Sequence, residues 1–300
     1  MLLGGVYAGV LSGLIDAEAA IDLTIDGLSL HASLGLCGWL SFTTMGVSYR
    51  LLTMFMLSPD KERTSSRVVF ALGALCLGLL AAAVPVILAG TFGRSSLLLL
   101  AVGSGAAVVA IYTADILRIY RERRRKAIEL NSRASIGAFA SLIAATALFV
   151  APLATGRLDA GSGAVIYLVA FGWLTGMGLA QLYKIVPFMT WLECYGPALG
   201  RMPTPRVQDL VVEVSALRWF WLYYLTVALG TLALLIGSVV LFRFASLGQL
   251  IAVNALILEF VRTRRLINVP AELRLPDGLV RPGLFLPSIP HGGSHEPRSL

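Results

Sequence analysis

His31 is the only histidine set in a long apolar stretch of this chain, within His31-Ala32-Ser33-Leu34-Gly35-Leu36-Cys37-Gly38-Trp39. An ionisable side chain in such a stretch is costly to bury and marks a functional position by default. Neutral imidazole is also the standard axial ligand for haem iron held among helices. Regular helical geometry places Gly35 and Gly38 one and two turns along from His31 on the same face. Small residues there would let a flat macrocycle, or another helix, approach closely. The competing role is a packed or hydrogen-bonded histidine at a membrane interface. The other two histidines, His291 and His295, stand in a Gly- and Pro-rich tail and read as solvent-exposed. Cys37, Cys76 and Cys194 show no metal-type spacing and no disulfide framework. Met54-Phe55-Met56 and Met189 would suit a soft metal, but core filling is the commoner use of methionine. Walker loops, nucleotide fingerprints, HExxH zinc motifs and serine-hydrolase elbows are absent from the sequence.

The helix that would carry His31 has a second copy. Gly38-Trp39-Leu40 and Gly172-Trp173-Leu174 stand 134 positions apart, and Tyr49-Arg50-Leu51-Leu52 falls on Tyr183-Lys184-Ile185-Val186 at the same offset. A fixed-offset match indicates an array of repeated units. The alternative is that small packing residues and interfacial anchors recur in any membrane helix. The composition is that of a membrane protein: 57% hydrophobic, 14% charged, with a mean hydropathy of +0.81. About 20 apolar residues suffice to cross a hydrocarbon core of about 30 Å. Spans are expected near 30–57, 68–90, 95–117, 134–152, 163–192, 216–242 and 244–261, with a short eighth at 2–15. That first segment lacks the basic start and cleavage site of a signal peptide.

Lys and Arg crowd the loops at 58–67 and 118–133 and the stretch after 261, whereas the segment at 16–29 holds Asp16, Glu18, Asp22 and Asp26 and no basic residue. Basic loops mark the cytoplasmic side, so the expected topology has both termini cytoplasmic, in a plasma (inner) membrane. The +7 formal charge then faces anionic lipid, and no nucleic-acid partner is implied. A second match, Ile116–Arg124 on Ile257–Arg265, extends the repeat. It divides the chain into four-helix units at 1–132 and 133–266, in the same orientation and related by an axis along the membrane normal. Residues 267–300, with six of the thirteen prolines, are expected to form an extended or disordered cytoplasmic tail.

The stretch His-x-x-x-Gly-x-x-Gly-Trp, followed by Met45-Gly46-Val47-Ser48-Tyr49-Arg50-Leu51-Leu52, resembles the helix that carries a His-x-His pair in the catalytic subunit of haem-copper oxidases and nitric-oxide reductases. The resemblance covers residues 30–57 and, through the repeat, suggests the plan of most spans. It implies an all-α polytopic bundle whose two parallel four-helix repeats correspond to arcs of that subunit, with haem as cofactor and His31 as an iron ligand. The departures matter. Ser33 stands where the second histidine belongs, Thr53 replaces the proline that the second copy keeps as Pro187, and Val165 occupies the position equivalent to His31. No other histidine lies in a span, so copper ligands and paired haem ligands are missing and the chain cannot assemble an oxygen-reducing centre by itself. A second axial ligand would be Met177, a histidine from another membrane subunit, or none. Met45 lies fourteen residues from His31, about 21 Å along a helix at about 1.5 Å per residue, too far to share an iron. The resulting expectation is a non-catalytic membrane protein that binds haem through His31 or supports a redox complex, in contact with the bilayer and with a subunit supplying missing helices or ligands. A small-solute or ion transporter using Asn254, and a cofactor-free assembly factor, are the alternatives.

Overall fold

A computed structural model describes residues 31–59, 64–88, 94–154, 161–196, 199–200 and 203–274, and every regular element among them is helical. The helices are α1 (31–56), α2 (Thr64–Leu88), α3 (Arg94–Arg121), α4 (Leu130–Ala154), α5 (Ser162–Tyr195), α6 (Glu213–Ile236) and α7 (Val239–Arg264). The helices α2 to α7 are the six that are long and apolar enough to cross a membrane, and α1 packs against α2, α3 and α5. This is an all-helical, multi-pass membrane architecture. The expected span at 2–15 and the tail beyond Arg274 lie outside the described residues.

Outward faces are apolar, with Phe70, Trp221 and Phe244 each more than three-fifths exposed. The core is drawn from narrow stripes. In α7 the buried residues are Ala245, Gln249, Ala252, Leu256, Glu259 and Thr263, alternating four and three apart. That spacing suits helices packed nearly parallel. Two hairpins dominate, α2 on α3 and α6 on α7. The second turns at Gly237-Ser238, not at residue 243, where the expected spans 216–242 and 244–261 divide. Gly237 takes the left-handed conformation (φ 70°) that ends α6, and the Ser238 hydroxyl accepts from the Leu241 N–H to start α7.

Each hairpin is closed at its basic end by a buried carboxylate. Asp115 of α3 accepts from Ser65 in the first turn of α2 (2.8 Å) and from the Tyr49 hydroxyl (2.9 Å). Glu259 of α7 accepts from Ser215 in the first turn of α6 (2.9 Å) and from Arg262 (3.1 Å). In both cases an anion sits against a helix N-terminus, where the macrodipole favours it. The two closures share one chemistry, a carboxylate near the end of one helix and a serine hydroxyl in the first turn of its partner.

Beyond α5 a second, smaller cluster forms. Trp191, Cys194, Tyr195, Leu210, Leu266, Val269 and Leu273 form a small separate core, tied by Tyr195 donating to Leu273 O (3.1 Å) and by an Arg264–Glu193 ion pair (2.8 Å). Residues 267–274 belong to this core rather than to an extended tail.

Candidate functional site

The helix carrying His31 is not a regular α-helix. Ser33–Leu40 of α1 forms π-helix, and so does Leu168–Thr175 of α5, the segments that hold the two Gly-Trp-Leu motifs. Hydrogen bonds reaching five residues rather than four widen the turn, a feature that recurs at functional sites. The same side-chain bond fixes both: Ser41 Oγ donates to Leu36 O and Thr175 Oγ1 to Ala170 O, five residues back in each case (2.7 and 2.8 Å).

The wider turn changes which residues share a face. His31 is exposed, a Cβ on Gly35 would meet nothing within 4 Å, and Trp39 is 73% exposed, whereas Gly38 is buried. The expected His31–Gly35–Gly38 face is therefore corrected to His31–Gly35–Trp39. Regular periodicity predicts the former, and the π segment rotates Gly38 into the bundle. The result is an apolar face with one imidazole at its end, a bare glycine below it and an indole ring below that.

The candidate second ligands are elsewhere. Met45 and Met177 are both enclosed in the core, and the Met177 sulfur accepts from Gln181 Nε2 at 3.6 Å. Among the described residues no group of three His, Cys, Asp or Glu side chains could hold a metal ion. Among the described residues the face thus offers His31 as its one candidate axial ligand.

Trp173, the counterpart of Trp39, has the opposite environment. It is fully buried, donates from Nε1 to Ser41 Oγ (3.2 Å) and packs against Tyr112 and Phe139. Gly172 beside it lies so close to α4 that a Cβ would come within 2.6 Å of Ser141. This seam joins α1 and α3 to α4 and α5.

Polar groups inside the bundle are not those singled out by position along the spans. Asn254 is exposed and bonds back to Leu250 O of its own helix (2.8 Å). Buried instead are Gln249, which accepts from the Tyr167 hydroxyl (2.6 Å), and Gln181, which donates to Ser135 (3.0 Å). Near the basic end Glu129 pairs with Lys184 (2.7 Å) and with Arg125. A cavity of about 20 Å³ there is lined by Glu129, Asn131, Tyr183, Lys184, Gln208 and Glu213. Asn131 is only 2% exposed, and neither polar atom of its side chain has a protein partner. Each of these amides lies on a buried stripe, a clue that is present in the sequence but readable only once the phase of each helix is known.

No family model matches the chain, and neither a curated protein nor a solved structure does so.

Proposed function

We propose that the chain is a non-catalytic subunit of a redox complex in the plasma (inner) membrane, built as two four-helix units on the plan of the haem-copper oxidase catalytic subunit. The observation that carries this reading is the His31–Gly35–Trp39 face. It offers an accessible imidazole above a side-chain-free strip on a π segment whose twin recurs in α5. Haem bound there would supply one-electron transfer. The chain's own residues would do two things: His31 supplies one ligand and Gly35 leaves room for a ring edge. The matching Ser41–Leu36 and Thr175–Ala170 bonds, and the two carboxylate-closed hairpins, support descent of both units from one plan. The basic ends then face the cytoplasm.

The test is the visible spectrum of protein purified in detergent from haem-replete cells. A haem absorption band that His31→Ala abolishes is expected. Colourless protein would overturn the haem assignment.

A second reading, transport of a small solute, draws on Asn131 and Gln181 rather than Asn254, because both buried amides retain unpartnered atoms and Asn131 lines the cavity. It requires flux into proteoliposomes that Gln181→Leu removes.

A further inference from the structure

The seam within the chain has two halves, and each half also exists a second time with its outer surface exposed among the described residues. On α1, Ser41 and Ser48 are buried: Trp173 covers Ser41, and Ser48 is hydrogen-bonded to Tyr112. The corresponding positions of α5, at the 134-residue offset, are Thr175 and Leu182, and both are exposed. Between them Gly178 is exposed and a Cβ there would meet nothing within 4 Å, which leaves a notch. The ring that would fill such a notch is the exposed one of Trp39. A hydroxyl is in place as well, with the Tyr223 hydroxyl of α6 beside it. Thr175 Oγ1 donates to Ala170 O as Ser41 Oγ does to Leu36 O. A hydroxyl that donates keeps lone pairs, and Ser41 uses one of its own to accept from Trp173.

We propose that this chain associates with a second copy of itself, head to tail. The exposed Trp39 of one copy docks on the Thr175–Gly178–Leu182 face of the next, repeating the contact that Trp173 makes on α1. The proposal rests on the two-unit reading but not on haem. Two units in the same orientation put Trp39 and Thr175 at equal depth, so the contact needs no tilt or vertical shift. Because one partner offers the ring and the other the notch, the interface is heterologous and adds copies until a ring closes. Buried tryptophans dominate such interfaces energetically.

The experiment places the photo-crosslinking residue p-benzoylphenylalanine at position 39 of the full chain, co-expressed in membranes with a differently tagged wild-type copy. Mass spectrometry then maps the product. A cross-link from position 39 to the Thr175-bearing peptide of the tagged copy is expected. Native mass spectrometry of the wild-type protein should show at least dimers, with Trp39→Ala weakening association by about tenfold or more. Cross-links only to lipid, to the same chain or to a different protein, with the wild type monomeric, overturn the proposal. The same probe at position 173 is the internal control and should reach the Ser41-bearing peptide of its own chain. If position 173 succeeds and position 39 fails, head-to-tail assembly is wrong and the two-unit packing stands. If the position-173 variant does not fold, the wild-type subunit count decides alone. A folded variant in which both probes fail removes the two-unit packing as well.

Discussion

At the scale of single residues, glycines separate packing from binding. Gly172 is walled in by Ser141 at 2.6 Å from a notional Cβ, whereas Gly35 and Gly46 face open space on α1. Gly172→Ala should destabilise the protein by about 1–3 kcal/mol, because the backbone of α4 or α5 must move to admit one carbon. A fall in detergent melting temperature checks this. Gly35→Ala should leave that temperature unchanged or slightly raised, since alanine is the better helix former, yet lower haem content if the ring lies on that face. Asn131 adds a different kind of test. Its side chain is buried with both polar atoms unpartnered by protein, and a cavity of about 20 Å³ adjoins it, room for about one water molecule. Replacing a buried amide whose partners are few with an apolar group of similar size is nearly neutral. Asn131→Leu should therefore shift stability by less than about 1 kcal/mol, while a loss of several would show that the amide is fully engaged. None of this was readable from spacing alone. Sequence pointed to Asn254 because it lies near the middle of a span, but the helix turns it outward.

At the scale of elements, the helices were legible and their joints were not. Continuous apolar runs place α2 to α7 within a few residues, because a span needs length before it needs pattern. The expected division at 243 misplaces the last turn, because the apolar run continues across the joint that Gly237 and Ser238 set. The carboxylate closures were beyond reach, as Asp115 and Ser65 meet only through folding. Asp115→Ala strands the Ser65 and Tyr49 hydroxyls and should cost about 1–3 kcal/mol, whereas Ser65→Ala should cost less, about 1 kcal/mol. Urea or thermal unfolding of both variants in one detergent would show the order. The Thr53 and Pro187 pair is instructive too. Pro187 sits inside α5 and offers no N–H to Tyr183 O. At the matching place in α1, Thr53 keeps its N–H and adds a hydroxyl that donates to Tyr49 O (2.9 Å). The same helix plan thus tolerates either residue.

At the scale of the whole molecule, the basic end is held by more than helix ends. The small core of Cys194, Tyr195, Leu210, Leu266 and Val269 locks the segment after α7 onto the loop after α5. Cys194 is only 4% exposed there. Truncation after Arg265 should uncover its thiol, seen as maleimide labelling at least about tenfold faster than in the full chain, with helix content by circular dichroism little changed. Equal labelling rates would mean that the segment beyond Arg265 does not cover the thiol in solution.

The π segments have a further consequence, for phase. In α5 one row of buried residues, Ala164, Leu168, Gly172, Gly176 and Ala180, recurs every fourth position, and the succession then changes to Tyr183, Pro187, Thr190 and Cys194, alternately four and three apart. One rod therefore carries two stripes that are out of step. Its upper part meets α1, through Trp173, and its lower part meets the loop that precedes α6, where Tyr183 donates to Val212 O. A single helix can in this way serve two neighbours on different bearings, and a periodicity averaged along its whole length cancels.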